Sequence, residues 1–205
     1  MDSQFKWSIR IPGALNPMKK EIRVALILCC VIVLSALNVA AQNGTEKTPF
    51  EPPKPGLEFM ARFEVTLDAP VLELGQIESV GKRRIIPITG GKFTGPRLNG
   101  TILNNGADWQ MVSADGLAYL DTRYALKTND GALIYIQTRG FRYGPADVMA
   151  EVAKGNPVDP NKYYFRVYIQ FETGSAEYRW LNRAIGIGAG MRLRNAVIYD
   201  AYLVK

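Results

Sequence analysis

In the stretch LEFMARFEVTL apolar residues fall on every second position. Leu57, Phe59, Ala61, Phe63, Val65 and Leu67 alternate with Glu58, Met60, Arg62, Glu64 and Thr66. Side chains on a β-strand point to opposite faces in turn, so this spacing predicts a strand with one buried face. The same period recurs in RRIIPIT, LAYLDTRYALKT, ALIYIQTRGF, KYYFRVYIQFETG and NAVIYDAYLV. Asn129, Asp130 and Gly131 predict a hairpin turn between LAYLDTRYALKT and ALIYIQTRGF. Pro87 lacks a backbone donor and places RRIIPIT at a sheet edge or a bulge. One helix is predicted over PADVMAEVAKGN, with Pro145 at its start, Asp147 in its first turn and Gly155 after its last. A second short helical or irregular piece falls on SAEYRWLNR. Many strands, glycine-rich turns and few helices predict an all-β sandwich or barrel.

The N-terminal part reads differently. MKKEIR (18–23) is a basic segment, VALILCCVIVL (24–34) an apolar one, and NVAAQ (38–42) offers small residues for cleavage. That order predicts a signal peptide over 1–41, with residues 1–17 a possible extension from an upstream start site. The competing reading is a retained anchor, because 24–41 is just long enough for a spanning helix. The expectation is export, to a periplasm or the exterior, with no stable membrane span after cleavage. Residues 42–56 follow as a proline-rich linker, and the folded domain is expected over 57–205.

Composition narrows the chemistry. The chain has no histidine, and its two cysteines, Cys29 and Cys30, both lie in the apolar N-terminal segment. A mature domain without thiol or imidazole has no disulfides, no thiolate or histidine metal site and no His-based catalytic triad. The net charge of +6 rests on 25 basic and 19 acidic residues; without 1–41 the remainder holds 20 and 17, or +3. The one dense basic run, Lys82 to Arg84, reads as a solvated strand end, so nucleic acid is not an expected partner. The expected partner is a small molecule.

The glycine-rich run GGKFTGPRLNGTILNNGADWQ lies between strand-like segments with no helix after it. It therefore reads as turns and bulges of a sheet, not as a phosphate loop. Two strands bear a mixed face: Tyr119, Asp121 and Arg123 on one, and Tyr164, Arg166, Tyr168, Gln170 and Glu172 on the other. Such a face fits either a polar, aromatic lumen or an outer wall where tyrosines cover their neighbours.

RRIIPITGGKFTGPRLNGTILNNGADWQ, LDTRYALKTNDGALIYIQTRG, YYFRVYIQFETG and YRWLN together resemble the uncharacterised protein family 0311, the domain of unknown function 3237. The likeness runs from about Leu57 to Val204. It implies a compact antiparallel β-barrel of the calycin-like sort and names no activity.

The candidate catalytic residues are Asp108, Arg123 and Glu172. Asp108 follows a turn and precedes Trp109, which places a carboxylate at a barrel rim beside a ring able to stack on a flat molecule. Asp121 and Arg123, with Tyr135 and Arg139 on the hairpin partner, offer an anion-binding face if they line a lumen. Glu172, projecting with Arg166 and Tyr168, would be a proton-transfer group if buried. Trp180 and Asn182 are further candidates for a pocket mouth. A cap at Asp108, an ion pair at Asp121 and core packing at Trp180 are the structural alternatives. Asp108, Asp121, Asp130 and Glu172 lack calcium-loop spacing, so neither metal nor cofactor is expected.

Three functions remain open on these grounds. The first is a barrel that binds an apolar or aromatic small molecule. The second is a cofactor-free isomerase, lyase or cyclase with a carboxylate base and Arg/Tyr stabilisation, and the third is a structural envelope protein. The enzyme reading requires Asp108, Arg123 and Glu172 to converge on one cavity.

Overall fold

The computed structural model describes residues 50–205. The expected signal segment, the upstream extension and the linker up to residue 49 lie outside them. Among the described residues no helix is long and apolar enough to cross a membrane.

The domain is one antiparallel sheet closed into an eight-stranded barrel. Its strands are β1 (Leu57–Leu67), β2 (Leu72–Ile77), β3 (Gly81–Thr94), β4 (Gly100–Ile102), β5 (Gly106–Asp108) and β6 (Met111–Val112). There follow β7 (Ala118–Thr128), β8 (Leu133–Tyr143), β9 (Tyr164–Glu172), β10 (Gly186–Arg192) and β11 (Ala196–Val204). Around the wall the order is β1, β11, β10, β9, β8, β7, then the short β4, β5 and β6 in line, then β3, which pairs back to β1. Closure leaves no unpaired edge along the barrel wall. β2 extends from β3 beyond the point where β1 ends.

Pro87 is not at an edge: on one side it pairs with Ala107 of β5, and on the other it falls in a break of the ladder. β3 pairs with β1 up to Ile88 and with β2 from Ile85, so Pro87 occupies the gap where the partner changes. A residue without an N–H leaves no donor unpaired there. The glycine pair behind it makes the predicted bulge: Thr66 faces Gly90 while Leu67 faces Ile88. Gly91, at φ +132°, lies so close to β1 that a Cβ would sit 2.1 Å from the Glu64 carbonyl oxygen.

The alternation in β1 holds with one break. A register shift between Phe59 and Ala61 puts Met60 and Ala61 both inside, while Leu57 and Phe59 turn outward. Beyond the bulge Phe63, Val65 and Leu67 face in as expected. The hairpin at Asn129 to Gly131 and the helix, here α1 (Ala146–Lys154), both form where the sequence placed them. Gly155 ends α1 in the left-handed region, and its N–H bonds to the Val152 carbonyl. A Cβ there would meet the Arg194 backbone at 2.9 Å, so glycine also lets the helix end lie against the β10–β11 turn. SAEYRWLNR ends in a 3-10 turn at Arg179–Arg183. The sequence reading missed β2 and β10, because LELGQI and GIGAGMR are too rich in glycine or exposure to alternate.

On β9 the lumen-facing phase is apolar, not mixed. In β9 Phe165, Val167, Ile169 and Phe171 face in, while Tyr164, Arg166, Tyr168, Gln170 and Glu172 face out. The mixed face is thus the outer wall, the second of the two readings the sequence left open. An apolar row buried against the facing wall gains far more from leaving water than a charged row would.

One half of the lumen is filled. Phe93, Phe63 and Tyr199 stack in series, with centroids 5.4 and 4.7 Å apart. Met60, Leu98, Leu126, Ile134, Ile136 and Leu181 close the space around them. Phe63 is the middle ring and fully buried, so Phe63→Ala should cost about 3–5 kcal/mol by urea denaturation. A loss below about 1 kcal/mol would mean that the stack does not hold this half together.

Candidate functional site

The other half of the lumen is open, and polar groups gather there. Val65, Leu67, Ile86, Ile88, Leu120, Phe165, Val167 and Val197 wall a cavity with about 50 Å³ open to the centre of a water-sized sphere. Asp108, Gln110, Thr122, Thr138, Arg142 and Arg192 also line it, and Tyr124 and Tyr199 line it from the filled side. The two tyrosine hydroxyls are 2.5 Å apart. Burial pushes both phenols above their ordinary range, so both stay protonated at neutral pH.

Asp108 reaches this cavity from the last position of β5, beside Thr122 of β7 and Ile86 of β3. One carboxyl oxygen accepts the Asp121 N–H at 3.1 Å and the other accepts the Gln110 side-chain amide at 2.9 Å. Gln110 is completely buried, and its carbonyl oxygen accepts from Arg84 Nε at 2.7 Å and from Arg84 Nη2. A guanidinium only donates, so Arg84 fixes the orientation of the Gln110 amide and thereby its bond to Asp108. Burial raises the pKa of the Asp108 carboxyl, only partly offset by the Asp121 N–H, the charge of Arg142 and the bond from Gln110. Environment therefore favours the proton-bearing form of the one carboxylate in the cavity.

Arg142 crosses the cavity from β8. It is buried, and its Nε has no acceptor among the described residues. Its guanidinium lies 5.8 Å from the Phe165 ring centroid. Burial and then the neighbouring charge of Arg84 lower its pKa to about 10, so it remains a cation at neutral pH. Arg192 donates to the carbonyls of Leu193 and Ala196, and its backbone N–H donates to the Tyr163 hydroxyl at 2.9 Å.

Of the residues nominated from sequence, Asp108 alone lines this cavity. Asp121, Arg123, Tyr135, Arg139, Tyr168 and Glu172 stand on the outer wall, because they share the phase of the exposed face. Several do come together there. Asp121 accepts from Arg123 at 3.0 Å, Arg139 at 3.2 Å and Gln137 at 3.0 Å. Burial alone would raise the Asp121 pKa, but the bonds from Gln137 and Arg139 and the charge of Arg123 bring it below the ordinary value. Such half-exposed pairs contribute little to stability. Glu172 is exposed and pairs in register with Tyr135, so it is not the buried proton carrier expected. Arg123, Glu172 and Asp108 do not converge, so the enzyme reading that needed all three fails in that form, and acid–base chemistry in the lumen rests on Asp108 with partners the sequence did not nominate.

Trp109 also faces outward, with the Arg123 guanidinium 5.4 Å above its ring. Trp180 and Asn182 lie at the filled end, away from the cavity. Arg97 stacks on Trp180 at 4.6 Å, and Asn182 clasps the Thr173 backbone at 2.8 and 2.9 Å. Among the described residues no three acidic side chains come together to hold a metal ion. The sequence reading missed Arg84, Gln110, Arg142 and Arg192. The three arginines lie in the apolar phase of their strands, Arg84 with Ile86 and Ile88, Arg142 with Ile134 and Ile136, Arg192 with Gly188 and Gly190, whereas Gln110 lies between β5 and β6 with no pattern to mark it. An arginine in the buried phase is the signal that marks those three.

Residues 55–204 match the model of a family described as a protein of unknown function, DUF3237. A UPF0311 protein of Rhodopseudomonas palustris is 38% identical over 151 residues, covering 73% of this chain and 98% of that protein. The crystal structure of a beta-barrel like protein from Acinetobacter baumannii shares 57% identity at a TM-score of 0.68, covering 76% of this chain and 99% of that one. A protein named hydroalkoxylation enzyme phnH, from Penicillium herquei, is 27% identical over 176 residues, 85% of this chain and 97% of its own length.

Gln110 joins Arg84 to Asp108, so its removal takes from Arg84 its side-chain acceptor and from Asp108 one of its two donors. Gln110→Leu should lower stability by about 1–3 kcal/mol in urea denaturation, despite adding apolar bulk. An unchanged denaturation midpoint would show that the chain of bonds is incidental.

Proposed function

The chain belongs to the DUF3237 family, and we propose that its open half-lumen is an acid–base active site that adds a hydroxyl group across a carbon–carbon double bond. The observation that carries this reading is the single carboxyl of the cavity, Asp108, oriented from both sides and biased by burial toward its protonated form. The name of the Penicillium herquei relative supports the reaction class. The N-terminal sequence supports an exported setting for it.

The apolar wall receives the hydrocarbon part of the substrate and excludes water from the double bond. Asp108 donates its proton to one alkene carbon. The oxygen of a hydroxyl in the same molecule bonds to the other carbon, and the hydroxyl proton returns to the Asp108 carboxylate. One C–H and one C–O bond form, one O–H bond and one π bond are lost, and the enzyme ends as it began. The Tyr124 and Tyr199 hydroxyls, neutral and close together, supply hydrogen bonds to the reacting oxygen from the far side of the cavity.

The apolar walls also suit a second reading, a barrel that holds an aromatic molecule without transforming it. A panel of ortho-alkenyl phenols and hydroxy-enones, incubated with the protein in D₂O and followed by mass spectrometry, separates the two. The active-site reading predicts cyclised product with one deuterium on carbon, and a loss of roughly 10²-fold or more in Asp108→Ala. Cyclisation that survives Asp108→Ala would refute the role of Asp108. Binding of panel members without turnover would favour the carrier.

A further inference from the structure

Outside the cavity just described lies a second one, whose lining includes Arg84, Ile86, Arg142, Lys154, Arg192 and Arg194. Ile86, Arg142 and Arg192 line both, so the outer cavity is the vestibule of the inner one. It is larger, with about 240 Å³ open to a water-sized sphere, and its lining holds five basic residues and no acidic one. The C-terminal end of α1 and the β10–β11 turn form its rim.

The charge balance here is unusual for a resting protein. Lys154 is paired with Glu151 at 2.5 Å. The three guanidiniums that reach inward are not paired with carboxylates: Arg84 donates to the Gln110 amide, Arg192 to backbone carbonyls, and Arg142 Nε to nothing among the described residues. The one acid near them, Asp108, is biased toward its neutral form. Burying a cation with an open donor is costly unless an anion arrives to complete it. A planar fork of donors fits a carboxylate or another flat oxyanion better than it fits a point charge.

We infer that the vestibule is an oxyanion-binding subsite, in which Arg142, flanked by Arg84 and Arg192, holds a carboxylate or phenolate on a molecule whose apolar body enters the inner cavity. This names the substrate class of the site proposed above and rests on that reading for the role of the inner cavity. The geometry divides the ligand in two. Its oxyanion sits where Arg142 bridges the two cavities, and its hydrocarbon part points past Asp108 toward Tyr124 and Tyr199. An anion there draws Asp108 no closer to ionisation, since it opposes the charge of Arg142 that now lowers the Asp108 pKa. An anion in the vestibule thus moves Asp108 further toward its proton-bearing form.

The test is calorimetric titration of the full chain with benzoate and with its neutral counterpart benzamide, near neutral pH. Benzoate should bind roughly tenfold or more tightly than benzamide, as a charge-assisted bond to a buried guanidinium implies. Arg142→Met should abolish that preference while leaving benzamide binding in place, and Arg192→Met should weaken it even if Arg142→Met fails to fold. Arg166→Met, on the outer wall, should change nothing. Equal binding of the two probes, binding of neither, or a preference that survives in both Arg142→Met and Arg192→Met would overturn the subsite. None of these outcomes touches the cyclisation readout of Asp108, so the two claims can fail separately.

Discussion

A single buried amide organises the open half of this barrel. Gln110 receives two hydrogen bonds from Arg84 and gives one to Asp108, and it has no exposure to water. A carboxyl so placed must have its lone pairs met by protein donors or keep its proton, and here burial tips it toward keeping the proton. The cavity's other features follow from that arrangement. Apolar walls keep the dielectric low, Arg142 brings a buried guanidinium beside the carboxyl, and the tyrosine pair closes the far side.

The filled and open halves depend on each other. The Phe93–Phe63–Tyr199 stack gives the barrel a rigid plug, so the open half can carry polar side chains that add little to stability. Tyr199 belongs to both: its ring ends the stack and its hydroxyl meets Tyr124 at the cavity wall. The small residues of β10 contribute from the opposite side. Gly186, Gly188 and Gly190 face inward, where a Cβ would press on Ile169, Val167 and Phe165. Their bareness lets the large β9 side chains stand across the lumen.

The barrel was legible in the sequence because closed antiparallel sheets write a period of two, and β7, β8, β9 and the hairpin at Asn129 to Gly131 all show it. What the pattern does not state is which phase faces in. Tyr119, Asp121 and Arg123 share a strand with Leu120, Thr122 and Tyr124, and only barrel closure decides that the second set lines the lumen. The candidacy of Arg123, Arg139, Tyr168 and Glu172 depended on the mixed face being the lumen, one of the two readings open from sequence, and they stand on the other side of the wall. Asp108 did not depend on that reading, because it was chosen for its place after a turn. The bulge at Phe59/Ala61 reverses phase within β1 for the same kind of reason: packing in three dimensions sets it, and no residue type announces it. Arg84, Arg142 and Arg192 were visible as arginines in an apolar phase, a signal that gains meaning only once the lumen has been identified.

The central claim is that Asp108 holds its proton beyond the ordinary carboxyl range. A folded-state pKa raised above the unfolded value means that the folded protein keeps a proton the unfolded chain has lost. The stability tied to it is full below the unfolded pKa and declines as pH rises through the folded one. Carbon-13 NMR titration of the Asp108 carboxyl, assigned by its absence in Asp108→Asn, reads this directly. The account predicts a midpoint above the unperturbed value of 3.8. A midpoint at or below that value would contradict it, leaving an ionised carboxylate paired with Arg142 and no proton donor in the lumen.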